Sequence, residues 1–343
     1  MNSTEFTPLH FFPAKSGLDW LEKSFLHRSK DRPCRMAQDT MLIRSEFDIV
    51  FDLPQTLTMV AMLRLHPSMD PLVREAEELT LEHVETDAQG LESKTPIEGE
   101  EYLDSFGNRC SRFVGPAGRL RVSGQSLVED DGQPDPIFTE AVQHPVEELP
   151  AETLQFLLSS RYCEVDQMSQ VAGDMFGHTT PGWARAVWIR DWVHNHVRFD
   201  YKTARPTKTA LDVFTERVGV CRDYQHLAIA MTRAMNIPAR YVTGYLGDIR
   251  SPYSGAGDFS AWYEVFLSGR WWTMDARHNQ PRIGRILMAT GRDATDVAIT
   301  TSFGVAEVKN FYVESYEVDE NGVTVPLVGG GTRDKKWVPP LGL

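Results

Sequence analysis

Cys221 stands in the run Arg217-Val218-Gly219-Val220-Cys221-Arg222-Asp223-Tyr224-Gln225-His226. Gly219 reads as a turn that delivers the cysteine onto the first turn of an apolar-periodic helix. The unpaired N–H groups and positive dipole end of a helix favour thiolate over thiol, so a cysteine placed there titrates below its free value of about 8.5. The chemistry this suggests is nucleophilic attack on a carbonyl. The plainer reading is a small buried apolar residue, which is what most cysteines without a disulfide are. A second polar group follows in Ala261-Trp262-Tyr263-Glu264-Val265-Phe266-Leu267, Ser268-Gly269, Arg270-Trp271-Trp272-Thr273-Met274-Asp275, whose aromatic and β-branched arms predict a β-hairpin. With Ser268 and Gly269 as the loop, Leu267 pairs with Arg270 and Trp262 faces Asp275. Ser260 is then a diagonal neighbour of Asp275 on the same sheet face.

The elements that must hold these residues are legible on either side. The helix after Cys221 carries Leu227, Met231, Ala234 and Met235 along one side and stops before Asn236-Ile237-Pro238; Arg240 to Leu246 reads as a strand. Upstream, Glu152 to Leu158 and Trp183 to Val197 read as helices. Further towards the N-terminus the character changes to short strands, among them Leu42 to Phe51, Thr58 to Leu65, Leu79 to Thr86 and Arg119 to Val122. Turn chemistry such as Asp104-Ser105-Phe106-Gly107-Asn108 separates them. Strands at this spacing predict a β-sandwich over 41–128. The acidic, proline-bearing stretch 129–150 reads as a linker, 151–328 as an α+β second domain, and 329–343, with Gly329-Gly330-Gly331, as a flexible tail. Residues 1–40 show no sustained period and are expected to be a disordered extension, with Met41 as an alternative start of translation.

Gly219-Val220-Cys221-Arg222-Asp223, then Asn236-Ile237-Pro238-Ala239-Arg240-Tyr241-Val242-Thr243-Gly244-Tyr245, then Ala261-Trp262-Tyr263-Glu264-Val265 and Trp271-Trp272-Thr273-Met274-Asp275 form an ordered set. In order and spacing this set resembles the transglutaminase-like core of the papain-related cysteine hydrolases. The resemblance covers roughly Leu154 to Phe311, and the β-rich region before it looks like the one that accompanies bacterial transglutaminase-like proteins. It implies an α+β fold, an N-terminal β-sandwich plus a papain-like core, and acyl transfer by a Cys, His and Asp triad. Carried onto this chain, Cys221 is the nucleophile and Asp275 the group that orients an imidazole. The family histidine stands immediately before the Ala-Trp of the hairpin, and here that residue is Ser260.

Three readings follow from Ser260. Another histidine can substitute: His278 lies at the correct end of the hairpin, provided the strand ends or bulges after Asp275. His226 ranks below it, because five positions along a helix place it about 140° from the thiol. Alternatively the thiol works without a local imidazole. An unperturbed cysteine is only about 3% thiolate at pH 7 and base catalysis contributes about 100- to 10,000-fold, so thioesters or activated esters would then be easier substrates than peptides. Finally, the fold can bind a peptide or glutamine-like side chain without turnover. The intact thiol favours an enzyme, a cysteine-dependent hydrolase or acyltransferase acting on amide or peptide carbonyls, with a peptide, protein or small amide as substrate. Hydrolysis is preferred to crosslinking because water is the default acceptor.

The remaining features narrow the class. Net charge is −13 across 343 residues, which speaks against nucleic acid or an anionic membrane as partner. Four scattered cysteines, Cys34, Cys110, Cys163 and Cys221, suggest neither a disulfide framework nor a zinc site. No nucleotide, flavin or metal motif is present, so no cofactor is expected, and a cytoplasmic location fits this cysteine usage. His194 and His196 sit two apart on a helix and do not share a face, so they read as structural or exposed. Trp262, Trp271 and Trp272 read as hairpin packing. The arginines between Arg282 and Asp296 read by default as solvated or structurally paired, with carboxylate recognition as the sharper alternative.

Overall fold

The computed structural model describes residues 40–252 and 259–330. The extension expected at 1–40, except Thr40, and most of the tail expected at 329–343 lie outside them. Strand β1 (Met41–Leu53) alternates buried and part-exposed residues along its length, the period-two pattern of a strand with one face on a core. It pairs antiparallel with β7 (Gly118–Asp130) through the whole register from Met41–Asp130 to Leu53–Gly118. β3 (Val73–Thr86) and β4 (Glu92–Pro96) extend this sheet on one side. A second sheet contains β2 (Leu57–Ala61), β5 (Gly99–Leu103) and β6 (Arg109–Gly115). Ile43, Phe47, Ile49 and Phe51 of the first sheet meet Met59 and Phe113 of the second in one buried cluster, the packing of a sandwich.

Two strands from far downstream complete these sheets. β14 (Thr300–Ser302) pairs with β2, and β15 (Glu307–Val318) pairs with β1 from Asp52–Glu307 to Leu42–Val318. The stretch expected to belong to the second domain up to residue 328 therefore returns to the first. Unpaired edges of β1 and β2 would otherwise expose their backbone groups.

The rest of the chain is α+β. Helices α1 (Val165–Phe176), α2 (Trp183–His196) and α3 (Ala210–Glu216) surround α4 (Cys221–Ala234). A two-residue parallel bridge joins β8 (Arg198–Phe199) to β9 (Val218–Gly219) just before α4. The sheet behind α4 has the order β12 (Arg270–Met274), β11 (Phe259–Leu267), β10 (Ala239–Leu246), β13 (Arg285–Gly291). α4 is buried on all sides: Leu227, Ala228, Ile229, Ala230 and Met231 are fully covered. Even Arg233 is enclosed, its guanidinium donating to the carbonyls of Ala239, Leu158 and Arg292. A buried charge is tolerated when each donor finds an acceptor.

The 129–150 stretch, read as a linker, is pinned. Val142 N donates to Ser268 Oγ at 2.9 Å and its carbonyl accepts from Ser268 N at 3.0 Å, so the strap is tied to the hairpin turn. Glu152 to Leu158, read as helical, forms a 3-10 helix over Ala151–Leu157.

Candidate active site

Val220 is extended and Cys221 begins α4, so the thiol sits on the first helical turn as the local pattern predicted. Asp223 folds back beneath that turn, accepting from Val220 N at 3.0 Å. Burial pushes its carboxyl up against the opposing pull of Arg222. Gly219 is needed for close approach rather than for a turn: it lies in β9, and a Cβ there would fall 2.6 Å from the Cβ of Asp223. The αL residue before it is Arg217, which ends α3.

The half-buried Cys221 lines a cavity of about 330 Å³ together with Tyr241 of β10, Ser260 of β11, Thr301 of β14 and Phe311 of β15. Ser260 is 9% exposed. The wall thus joins the first turn of α4, two strands of its sheet and the two strands that complete the sandwich.

The hairpin follows the register counted outward from its turn. Leu267 pairs with Arg270, and Ser268 and Gly269 take the positive φ values of 49° and 76° that a tight primed turn requires. The ladder ends at Tyr263–Met274, one position before Trp262 and Asp275. The chain then turns, with Asn279 N donating to Asp275 O at 2.9 Å, and this brings His278 back to its own neighbour. His278 Nδ1 lies 2.8 Å from Asp275 Oδ2. Asp275 collects four further donors: Arg277 N and His278 N at 3.0 Å, Gln225 Nε2 at 3.2 Å and Arg285 Nη2 at 3.0 Å. Burial alone would raise its carboxyl, but the Arg285 charge and the bonds to His278 outweigh it and hold the group well below the usual carboxylate range.

The other nitrogen of His278 is also engaged, with Arg277 Nη1 2.7 Å from Nε2. A guanidinium can only donate, so Nε2 carries the lone pair and the Nδ1 proton goes to Asp275. That is the tautomer of a general base, with its basic nitrogen covered. Arg277 is held over the Phe199 ring at 4.3 Å, and Phe199 pairs with Gly219 beside the start of α4. From α2, His194 Nδ1 donates to the carbonyls of Ala276 and Arg277 at 3.1 and 3.0 Å and steadies the same turn.

The residues singled out in the sequence therefore fall into two groups. Cys221 and Ser260 share a cavity; Asp275 and His278 are bonded to each other and are not among its lining residues. Gln225, one turn after Cys221 on α4, connects the groups: its side chain also donates to Ala261 O and accepts from Ala276 N, each at 3.2 Å. His226 is enclosed, stacked on Tyr162 at 4.8 Å, and its Nε2 accepts from Ala294 N. Burial drives its pKa down to about 3, so it stays neutral. Gln225, Arg277, Arg285 and His194 were not assigned to the site from sequence. Gln225 alone had a local signal, since a position four residues after Cys221 shares its helix face. Arg282 and Arg285 are structurally paired, with Asp248 and with Asp135 and Asp275 respectively. His196 is packed in the α2–α3 contact, bonded to Phe214 O at 2.9 Å. Among the described residues no helix is long and apolar enough to cross a membrane.

Comparison with known proteins agrees with this architecture. A family model described as the transglutaminase-like superfamily matches residues 169–276, the span from α1 to just past Asp275. A crystal structure of a proposed cysteine protease from Cytophaga hutchinsonii superposes with a TM-score of 0.66 at 28% identity, covering 87% of this chain and 96% of that one. Uncharacterized proteins of Mycobacterium leprae and Mycobacterium tuberculosis are each 28% identical, over 207 and 225 residues. These alignments cover 57% and 59% of this chain, and 73% and 71% of theirs. With the core matched by sequence and the wider fold by structure, residues 169–276 carry a transglutaminase-like superfamily core.

Proposed function

We propose that the protein is a cysteine-dependent acyl-transfer enzyme, a hydrolase or acyltransferase, in which Cys221 attacks a carbonyl and carries the acyl group as a thioester. The observation that carries this reading is the half-buried thiol on the first turn of α4, opening on a cavity of about 330 Å³. The positive dipole end of the helix favours thiolate and, later, an oxyanion. Asp275 orients His278 in the tautomer of a base, but Arg277 covers its Nε2, so ionisation of the thiol is left to the helix terminus. A peptide or protein carbonyl is in keeping with the name of the Cytophaga relative. A cytoplasmic site of action remains part of the proposal.

One observation favours a second reading, a cleft that binds without turnover: the wall beside Cys221 presents Ser260 where the family places an imidazole. Alkylation with iodoacetamide at neutral pH, mapped by mass spectrometry, separates the two. Burial pushes the Cys163 thiol up to about 12, which leaves it about 10³-fold less ionised at pH 7 than a free cysteine. Cys221 is expected to react faster than free cysteine, and Cys163 only after unfolding. If Cys221 reacts no faster than free cysteine, the enzyme reading fails and the binding cleft stands.

A further inference from the structure

We propose that the cavity on Cys221 is an acyl pocket for a small, uncharged, apolar acyl group, delivered from a thioester or aryl ester in preference to an amide. This rests on the reading of Cys221 as nucleophile. The size, the wall and the proton inventory of the site carry it.

At about 330 Å³ the cavity lies at the small end of the range of about 300–1,000 Å³ usual for ligand sites, so it suits a group of side-chain size. Its floor is aromatic and aliphatic: Phe259 and Phe311 meet edge to face at 5.9 Å, and Val297 and Ile299 stand beside them. Arg222 is the one charged side chain among the described residues of the wall. Its guanidinium already donates to Arg205 O at 2.7 Å and lies 3.5 Å from Asp223 Oδ1. A carboxylate on the acyl group would have to compete with Arg205 O and Asp223 for this one guanidinium while losing water to an otherwise uncharged wall.

The leaving group follows from where protons are held. An amine leaves a tetrahedral intermediate only after accepting a proton, whereas a thiol with a pKa near about 8.5 leaves as its anion. His278 offers no proton to a leaving amine, since Nδ1–H is committed to Asp275 and Nε2 accepts from Arg277. His226 is neutral and enclosed, its Nε2 committed to Ala294 N. With a thioester the step balances without an acid. The Cys221 thiolate forms a bond to the acyl carbon, the donor's carbon–sulfur bond breaks, and its electron pair departs on the donor sulfur. Water or a second nucleophile then bonds to the acyl carbon, the carbon–sulfur bond to Cys221 breaks with its electron pair returning to the thiolate, and the nucleophile's proton passes to solvent.

The test uses the full chain with S-phenyl thiobutyrate, its succinyl counterpart and butyryl 4-nitroanilide, each rate divided by that of the same donor with free N-acetylcysteine. Intact and peptide mass report acylation of Cys221. The butyryl thioester is expected to exceed the succinyl donor by about tenfold or more, and the anilide to give no adduct; one methylene-scale contact is already worth about 10- to 200-fold. Thr301→Trp, on the exposed edge of β14, narrows the cavity and should lower butyryl acylation by about tenfold, more than any fall in iodoacetamide labelling measured alongside. Equal rates for the two thioesters, an anilide as fast as the thioester, or equal falls in acylation and alkylation would each overturn the proposal. If Cys221 is alkylated faster than free cysteine while the donors are not distinguished, the pocket is wrong and the nucleophile stands. If alkylation is also slow, the nucleophile reading itself is at fault.

Discussion

Cys221 and Asp275 lie at the two ends of one candidate site, joined by Gln225, yet their surroundings differ in kind. The thiol is half-buried at a helix start and faces space bounded by apolar and hydroxyl groups. The carboxylate is 3% exposed and receives five donors from four residues on α4, β13 and its own turn. One end opens on a cavity; the other is built as a lock. A residue can thus keep its place in a catalytic pattern while the tertiary structure turns it mainly to holding the turn together.

Asp275→Asn probes that contrast with the largest effect. Removing its charge leaves Arg285 with Asp135 alone and takes the anionic acceptor from the other donors, which should cost about 3 kcal/mol, read from the denaturant midpoint. A midpoint that barely moves would erase the difference between the two ends. The same variant carries a pH signature. Because the folded pKa of Asp275 is depressed, its contribution is complete above the unfolded value of about 3.9 and is lost as pH falls through the lower folded value. Acid titration of stability should therefore be flatter in Asp275→Asn than in the parent.

His194→Ala should cost less, about 1 kcal/mol, since it removes only the ring's bonds to the carbonyls of Ala276 and Arg277. Hydrogen exchange would show the loss at the Arg277 and His278 amides; unchanged protection there would mean that the turn holds itself. Ser260→Ala, on the open end, should move stability by no more than about 0.5 kcal/mol and leave the acid titration as in the parent. A large loss would place Ser260 in the lock instead of the cavity wall.

Parts of this were legible because they are local. The two-residue turn pins the hairpin register from Leu267–Arg270 outward, and the helix starting at Cys221 follows from apolar spacing and the Asn236-Ile237-Pro238 stop. The condition set for His278 was a strand that ends or bulges after Asp275, and β12 ends one residue earlier, at Met274. What brings Arg285 onto Asp275 is a sheet order in which β13 pairs with β10, and no short-range pattern encodes it. The same holds for β14 and β15, whose return to the sandwich supplies Thr301 and Phe311 to the cavity.

Local pattern alone establishes that a cysteine opens a helix, that a tight hairpin carries an aspartate to its far end, and that a serine precedes the Ala-Trp of that hairpin. Periodicity and turn chemistry act over a few residues and suffice for this. That the cysteine faces a cavity walled in part by the sandwich, and that the aspartate is held by an arginine from another strand, emerges with the folded chain. Those neighbours are set by long-range strand pairing and by the need of buried charges for partners.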